Sequence, residues 1–338
     1  MSRSSLPVLG PDGAPPPPQE PSGLDRRQIL RIGATTAASG LVLGGLAFVD
    51  RDLGNKPRAM VRIKDHTRER PAGANELAVA RGPSPAANVE RAVEALGGMS
   101  AFVRPGERVV VKPNAAWNRV PEQAATTHPD VVAAVVRMVH AAGASQIWVA
   151  DVPVNNPERC FERSGIRGAL SDAATLVVPS SSAFRHVEVA GQTLRVAEVL
   201  FPFVDADRVI NVAVVKHHGL SGATMCLKNW YGVLGGHRAR LHQDIHRSIV
   251  DLAMMMKPTL SILDATRILV ANGPTGGNLA DVRRMDTVFA GVDEVALDAF
   301  GATLLGLRGE DLAFLREAEK LGLGRIDYRS RKLVEVAG

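Results

Sequence analysis

The chain has 338 residues, 46% of them hydrophobic, 22% charged and only 4% aromatic, so a sizeable core must be packed with Val, Leu, Ile and Ala. The formal charge is +5; a surplus this small, with no basic run interleaved with aromatics, sets nucleic-acid binding aside. The two cysteines, Cys160 and Cys226, form no C-x-x-C pair, which excludes a zinc ribbon or a self-contained iron–sulfur centre and leaves either one disulfide or two small buried apolar residues.

In chain order, residues 1–24 are rich in Pro, Gly and Ser and are expected to be disordered. Residues 25–50 read as a twin-arginine signal or anchor: Arg26-Arg27, two apolar residues, Arg31, then a glycine-rich uncharged run from 32 to 49. That address implies export by the twin-arginine translocase to the periplasm or the outer face of the cytoplasmic membrane, with a tethered form left open. Residues 51–74 are expected to be a linker, and 75–338 an α/β domain.

Within that domain apolar runs at 77–80, 108–112, 147–151, 176–179, 208–215, 260–263 and 287–290 read as strands. Helical spacing marks 88–96, 129–142, 161–173, 248–256 and 295–304, and a hairpin is expected at 186–190 and 193–199, turned at Gly191-Gln192. Strands separated by helices predict a mainly parallel, Rossmann-like sheet with helices on both faces. The hairpin would be an antiparallel edge or a small second lobe.

Ligands of such sheets sit beyond the carboxyl ends of the strands. Four apolar runs end there in polar residues: Lys112-Pro113-Asn114, Asp151, Lys216-His217-His218 and Asp264. Only eight of the forty basic residues are lysine, yet Lys112, Lys216 and Lys228 fall in these loops; a lysine amine can lose its proton when desolvated, which an arginine does not. Five of nine histidines (His217, His218, His237, His242, His246) cluster within thirty residues. Lys112, Lys216, Lys228 and His218 are therefore the catalytic candidates. Asn114, Asp151, His217, Ser221, Thr224 and Asn229 are the ligand-binding candidates, and His218 with His242 the metal candidates. The segment 216–232, with its glycines, hydroxyls and two lysines, suits a small anion. His128 is either a site residue or a helix cap, Asp298 either faces the site or lies inside its helix, and the turn 272–277 is a lid candidate.

The strings V-V-K-P-N, T-T-H-P, V-A-D, I-N-V-A-V-V-K-H-H, A-T-M-C-L-K-N-W-Y-G, G-P-T-G-G and A-G-V-D-E-V-A-L-D occur in this order. Together they resemble the family called domain of unknown function 362, over roughly residues 75–325. The resemblance implies an iron–sulfur association through a partner protein, since this chain has no cysteine-rich module. A fainter likeness, to nickel-pincer lactate racemase, would make Lys228 the holder of a cofactor and give His218 and His242 metal-ligand or acid–base roles. The leading expectation is an enzyme, redox or isomerase-like, acting on a small anionic substrate with a transition metal or metal-containing cofactor. A non-catalytic anion- or cofactor-binding protein and an assembly partner of an exported redox complex are the alternatives.

Overall fold

Apolar strands and amphipathic helices alternate along the chain, and the computed structural model, which describes residues 60–337, assembles them into a large mixed sheet covered on both faces and a small two-stranded one. The stretch expected to be disordered, the expected twin-arginine segment and the expected linker as far as residue 59 lie outside the described residues. The strands are β1 (Leu77–Arg81), β2 (Arg108–Pro113), β3 (Gln146–Ala150), β4 (Thr175–Val177), β5 (Phe184–Glu188), β6 (Val196–Leu200), β7 (Arg208–His218), β8 (Gly222–Thr224), β9 (Leu260–Leu269), β10 (Val282–Gly291) and β11 (Leu333–Ala337). The helices are α1 (Pro85–Glu94), α2 (Pro129–Ala141), α3 (Pro157–Arg163), α4 (Ile166–Ala169), α5 (Pro202–Asp205), α6 (Cys226–Asn229), α7 (Ile245–Met256), α8 (Glu294–Leu304) and α9 (Ala313–Lys320). Among the described residues no helix is long and apolar enough to cross a membrane.

The sheet runs β11-β1-β10-β9-β7-β2-β3-β4, with β8 folded back on β7. From β9 through β7, β2 and β3 to β4 all neighbours are parallel. The β10 strand is antiparallel to both β9 and β1, and β11 runs parallel to β1. After β2 the chain moves outward to β3 and β4, then returns to lay β7 on the other side of β2. The strand order therefore reverses between β2 and β7, and a crevice opens at their carboxyl ends.

Period-two alternation sends the strand side chains to two cores. On one side Val109, Val111, Ile210 and Val212 pack with Val89 and Val93 of α1 and Val131 and Val135 of α2. On the other, Val110, Ala213, Val215 and Leu263 pack with Ile249 of α7, Val295 of α8 and Phe314 of α9. Each such buried side chain contributes about 1.5–3 kcal/mol relative to its exposed state. Short polar residues start the helices: Ser84 Oγ accepts from Ala87 N at 3.3 Å before α1, and Asp293 Oδ1 accepts from Ala296 N at 2.9 Å before α8.

Several elements differ from the sequence expectation, each for a visible reason. The hairpin β5–β6 forms a separate two-stranded sheet, paired Phe184 with Leu200 to Glu188 with Val196. Its strands stop short of Gly191-Gln192 because the connection wraps the buried Asp251 carboxylate, which accepts from the amides of Gln192, Thr193 and Leu194 at 3.0, 2.7 and 2.9 Å. The helix expected over 161–173 is two short pieces, α3 and α4, broken at Gly165, whose φ is +74°. The β9 strand continues to Leu269, so Asp264 lies inside a strand rather than at its end. The later part of the expected linker is packed: Val61 bridges Val187, His66 is buried, and Arg68 Nη1 donates to Phe102 O at 2.8 Å. Cys160 and Cys226 are both buried and free, so the disulfide reading is withdrawn.

Candidate functional site

A hollow of about 360 Å³ opens where β2, β3 and β7 end, inside the size range of small-molecule sites. The floor starts with Lys112, the penultimate residue of β2. Its ammonium donates to Asp151 Oδ1 at 2.7 Å, to Pro113 O at 2.9 Å and to Asn229 Oδ1 at 3.1 Å. All three of its protons are used, so Lys112 is a fixed strut. Burial lowers its pKa and the Asp151 charge opposes that. The other Asp151 oxygen accepts from Ala115 N at 2.7 Å. Gly232 lies against this pair: a Cβ there would fall 1.9 Å from Asp151 Oδ1 and 2.6 Å from Lys112 Nζ. Only a glycine lets the backbone approach so closely.

Asparagines extend the network across the switch point. Asn114 Nδ2 donates to Asn229 Oδ1 at 3.0 Å, Asn229 Nδ2 to Asn211 Oδ1 at 2.8 Å, and Asn211 Nδ2 to Glu294 Oε1 at 2.6 Å. The α6 turn that carries Lys228 and Asn229 is held at its start by Asp298, whose oxygens accept from Cys226 N at 2.7 Å and Leu227 N at 3.0 Å. Asp298 thus faces a backbone turn under the site, not the hollow.

The second and third lysines differ from the first. Lys216 Nζ donates to Ala125 O at 2.6 Å and Asn114 Oδ1 at 3.0 Å; burial, then the charge of Lys228, pulls its pKa down to about 7. Lys228 has no hydrogen-bond acceptor among the described residues. Its ammonium sits 4.4 Å from the centre of the Tyr231 ring, and burial, then Arg238, lowers its pKa to about 8. Thr224, also buried in this wall, has a hydroxyl with no partner. A hollow lined by surplus cations and an idle hydroxyl is built to receive negative charge.

The histidines divide by role. His218 Nδ1 accepts from the amides of Leu220 and Ser221, both at 3.2 Å, so its proton resides on Nε2. Burial, then Lys228 and Lys216, pushes its pKa down to about 3 and keeps the ring neutral. Metal-bound histidines instead donate from the far nitrogen to an acceptor. His218 therefore does not fit the metal role expected for it. His242 places Nδ1 3.2 Å from Ala239 O, an acceptor, which leaves Nε2 with its lone pair. Among the described residues no group of three or more His, Cys, Asp or Glu side chains is arranged to hold a metal. In this structure His218 presents a donor, and His242 an acceptor, to the hollow.

Lys112, Asn114, Asp151, Lys216, His218, Thr224, Lys228, Asn229 and His242 all line the hollow. His217 and Ser221 do not. His217 Nδ1 accepts from Gly273 N at 3.1 Å and pins the 272–277 turn, of which Gly273 and Pro274 reach the rim. Ser221 Oγ donates to Ala223 O at 2.8 Å and only shapes the β7–β8 turn. His128 caps α2 through Nδ1, with Asp130 N at 3.2 Å, and its own amide donates to Asp264 at 2.8 Å; both residues are structural. Sequence reasoning missed Arg238, whose guanidinium donates to Val152 O at 2.6 Å, Pro153 O at 2.7 Å and Tyr231 O at 3.1 Å and ties two walls together. Nothing in its neighbourhood except the flanking histidines marked it.

The profile of the family described as domain of unknown function (DUF362) matches residues 109–303, more than half of the chain. A thylakoid-associated protein of Synechocystis sp. is 30% identical over 254 residues, covering 70% of this chain and 75% of that protein. Two solved structures align at 14% identity over 71% of this chain: the lactate racemase apoprotein of Thermoanaerobacterium thermosaccharolyticum, with a TM-score of 0.37, and a structural-genomics protein of Thermotoga maritima, with 0.36. The chain spans only 61% and 59% of the length of those two proteins.

Proposed function

The chain belongs to the family described as domain of unknown function (DUF362), and from that premise and the geometry of the hollow we propose that it binds a small anionic substrate and moves a proton on it, an isomerase-like reaction. Lys228 and Lys216 would neutralise the substrate's charge, and Thr224 would donate to it. The Nε2–H of the neutral His218 would hydrogen-bond the substrate, and the Nε2 lone pair of His242 would take the proton from the substrate and return it. No step is routed through a metal, since His218 offers the hollow an N–H rather than a lone pair.

The observation that carries this reading is the Lys228 ammonium, buried, facing the hollow and without an acceptor. Titration calorimetry with acetate and with inorganic phosphate tests it. Binding is expected below pH 7, weakening about tenfold or more between pH 7 and pH 9 as Lys216 and then Lys228 lose their protons. Incubation with a panel of small 2-substituted carboxylates in D2O, followed by NMR, is expected to place deuterium at the carbon beside the carboxylate of the true substrate. Absence of any anion binding would sink the reading, whereas binding without exchange across the panel would leave a carrier.

We also propose export by the twin-arginine route, on the strength of Arg26-Arg27 and the weakly apolar run that follows. The name of the Synechocystis relative, a thylakoid-associated protein, supports work at a membrane surface. Replacing both arginines by lysine should hold the chain in the cytoplasm, as read by cell fractionation. An iron–sulfur partner enters on the family resemblance alone, and co-purification from the native host tests it.

A further inference from the structure

Resting on the small-anion reading, we infer that the natural ligand is an amphiphile, an anionic head joined to an apolar body, with the head on the lysines and the body against an apolar mouth. The hollow is graded from end to end. Its deep end holds Lys216, 1% exposed, and Lys228, 7% exposed, with the idle Thr224 hydroxyl beside them. The outer end carries Leu220, 63% exposed, and Val154, 56% exposed, and the partly buried Trp117 also lines the hollow. Large hydrophobics this exposed are few among the described residues, and two of them border one cavity.

Both are held in place. The amide of Leu220 donates to His218 Nδ1 at 3.2 Å and that of Val154 to Ala116 O at 2.8 Å. The mouth is therefore a prepared apolar surface in front of a charged floor. An anion without an apolar body would fill the floor and leave the mouth wet. Each methylene seated against such a surface strengthens binding about fourfold.

The test is calorimetry on the full chain below pH 7 with acetate, butyrate, hexanoate and octanoate, and with an alkyltrimethylammonium of matched length. Affinity is expected to rise about fourfold per methylene until the mouth is covered. The double substitution Leu220→Asn with Val154→Asn, at exposed positions outside the charged floor, should flatten that rise while leaving acetate affinity unchanged. Equal affinities across the series, with acetate still bound, would overturn the amphiphile and spare the anion site. A rise that the double variant leaves intact, or equal binding of the cationic amphiphile, would overturn it too. Failure of every alkanoate and of phosphate to bind would instead remove the anion reading on which this inference stands.

Discussion

Lys228 concentrates the conflict between stability and binding at the scale of a single residue. An unfolded chain keeps this amine protonated up to its ordinary value of 10.5, the folded chain only up to about 8. Between those values unfolding takes up a proton, so the stability of the folded chain rises with pH across that window. Below pH 8 the penalty stands in full; above 10.5 it is gone. Lys228→Met should therefore raise the unfolding free energy by about 2–3 kcal/mol at pH 7, and the gain should fade as the pH approaches 10.5. Urea denaturation at a series of pH values measures this, and calorimetry should show that the stabilised variant no longer holds acetate. A residue kept against such a cost points to use rather than to folding. The scarcity of lysine made this site legible: three of eight lysines meet at one hollow. The tautomer of His218 was not legible, because it depends on two backbone amides in a turn the sequence does not specify. Nor was Arg238, whose partners are carbonyls two loops away.

Elements carry these residues to their places, and the tightest point is the contact of Gly232 with the Lys112–Asp151 pair. Gly232→Ala would drive a methyl group into both charges, and separating a buried ion pair costs about 3–5 kcal/mol. We expect chemical denaturation to show a loss of that order, and ligand binding to vanish with it, since Asn229 is held by the same Lys112. The parallel strands and their helices were readable because alternation and helical spacing are local signals. The β7–β8 fold-back was not, since β8 is only three residues long, and neither was β11, a short strand that pairs with the distant β1. The hairpin turn lies where expected, but its strands stop earlier because a buried carboxylate on α7 organises the connection, a tertiary cause invisible to turn chemistry. Asp264 looked like a strand end only because β9 loses its apolar run there while its hydrogen-bond ladder continues.

At the scale of the whole molecule, residues 61–70 belong to the domain they precede. Thr259 Oγ1 donates to His66 O at 2.7 Å, Arg208 Nη1 to the same carbonyl at 3.2 Å, and the His66 ring is buried. A chain beginning at residue 72 is expected to be less stable than one beginning at residue 59 by about 2 kcal/mol or more, and to melt at a lower temperature in calorimetric scans. The division of labour around the hollow has a further outcome. The lysines and asparagines stand on strands or on the turns tied to them, whereas Leu220 and Val154 stand on connecting loops that bury little else. Exchanging those two loop residues would disturb no core and break no ladder. The surface that borders the hollow can thus be rewritten without touching what holds the fold, and an engineer would begin at those two positions.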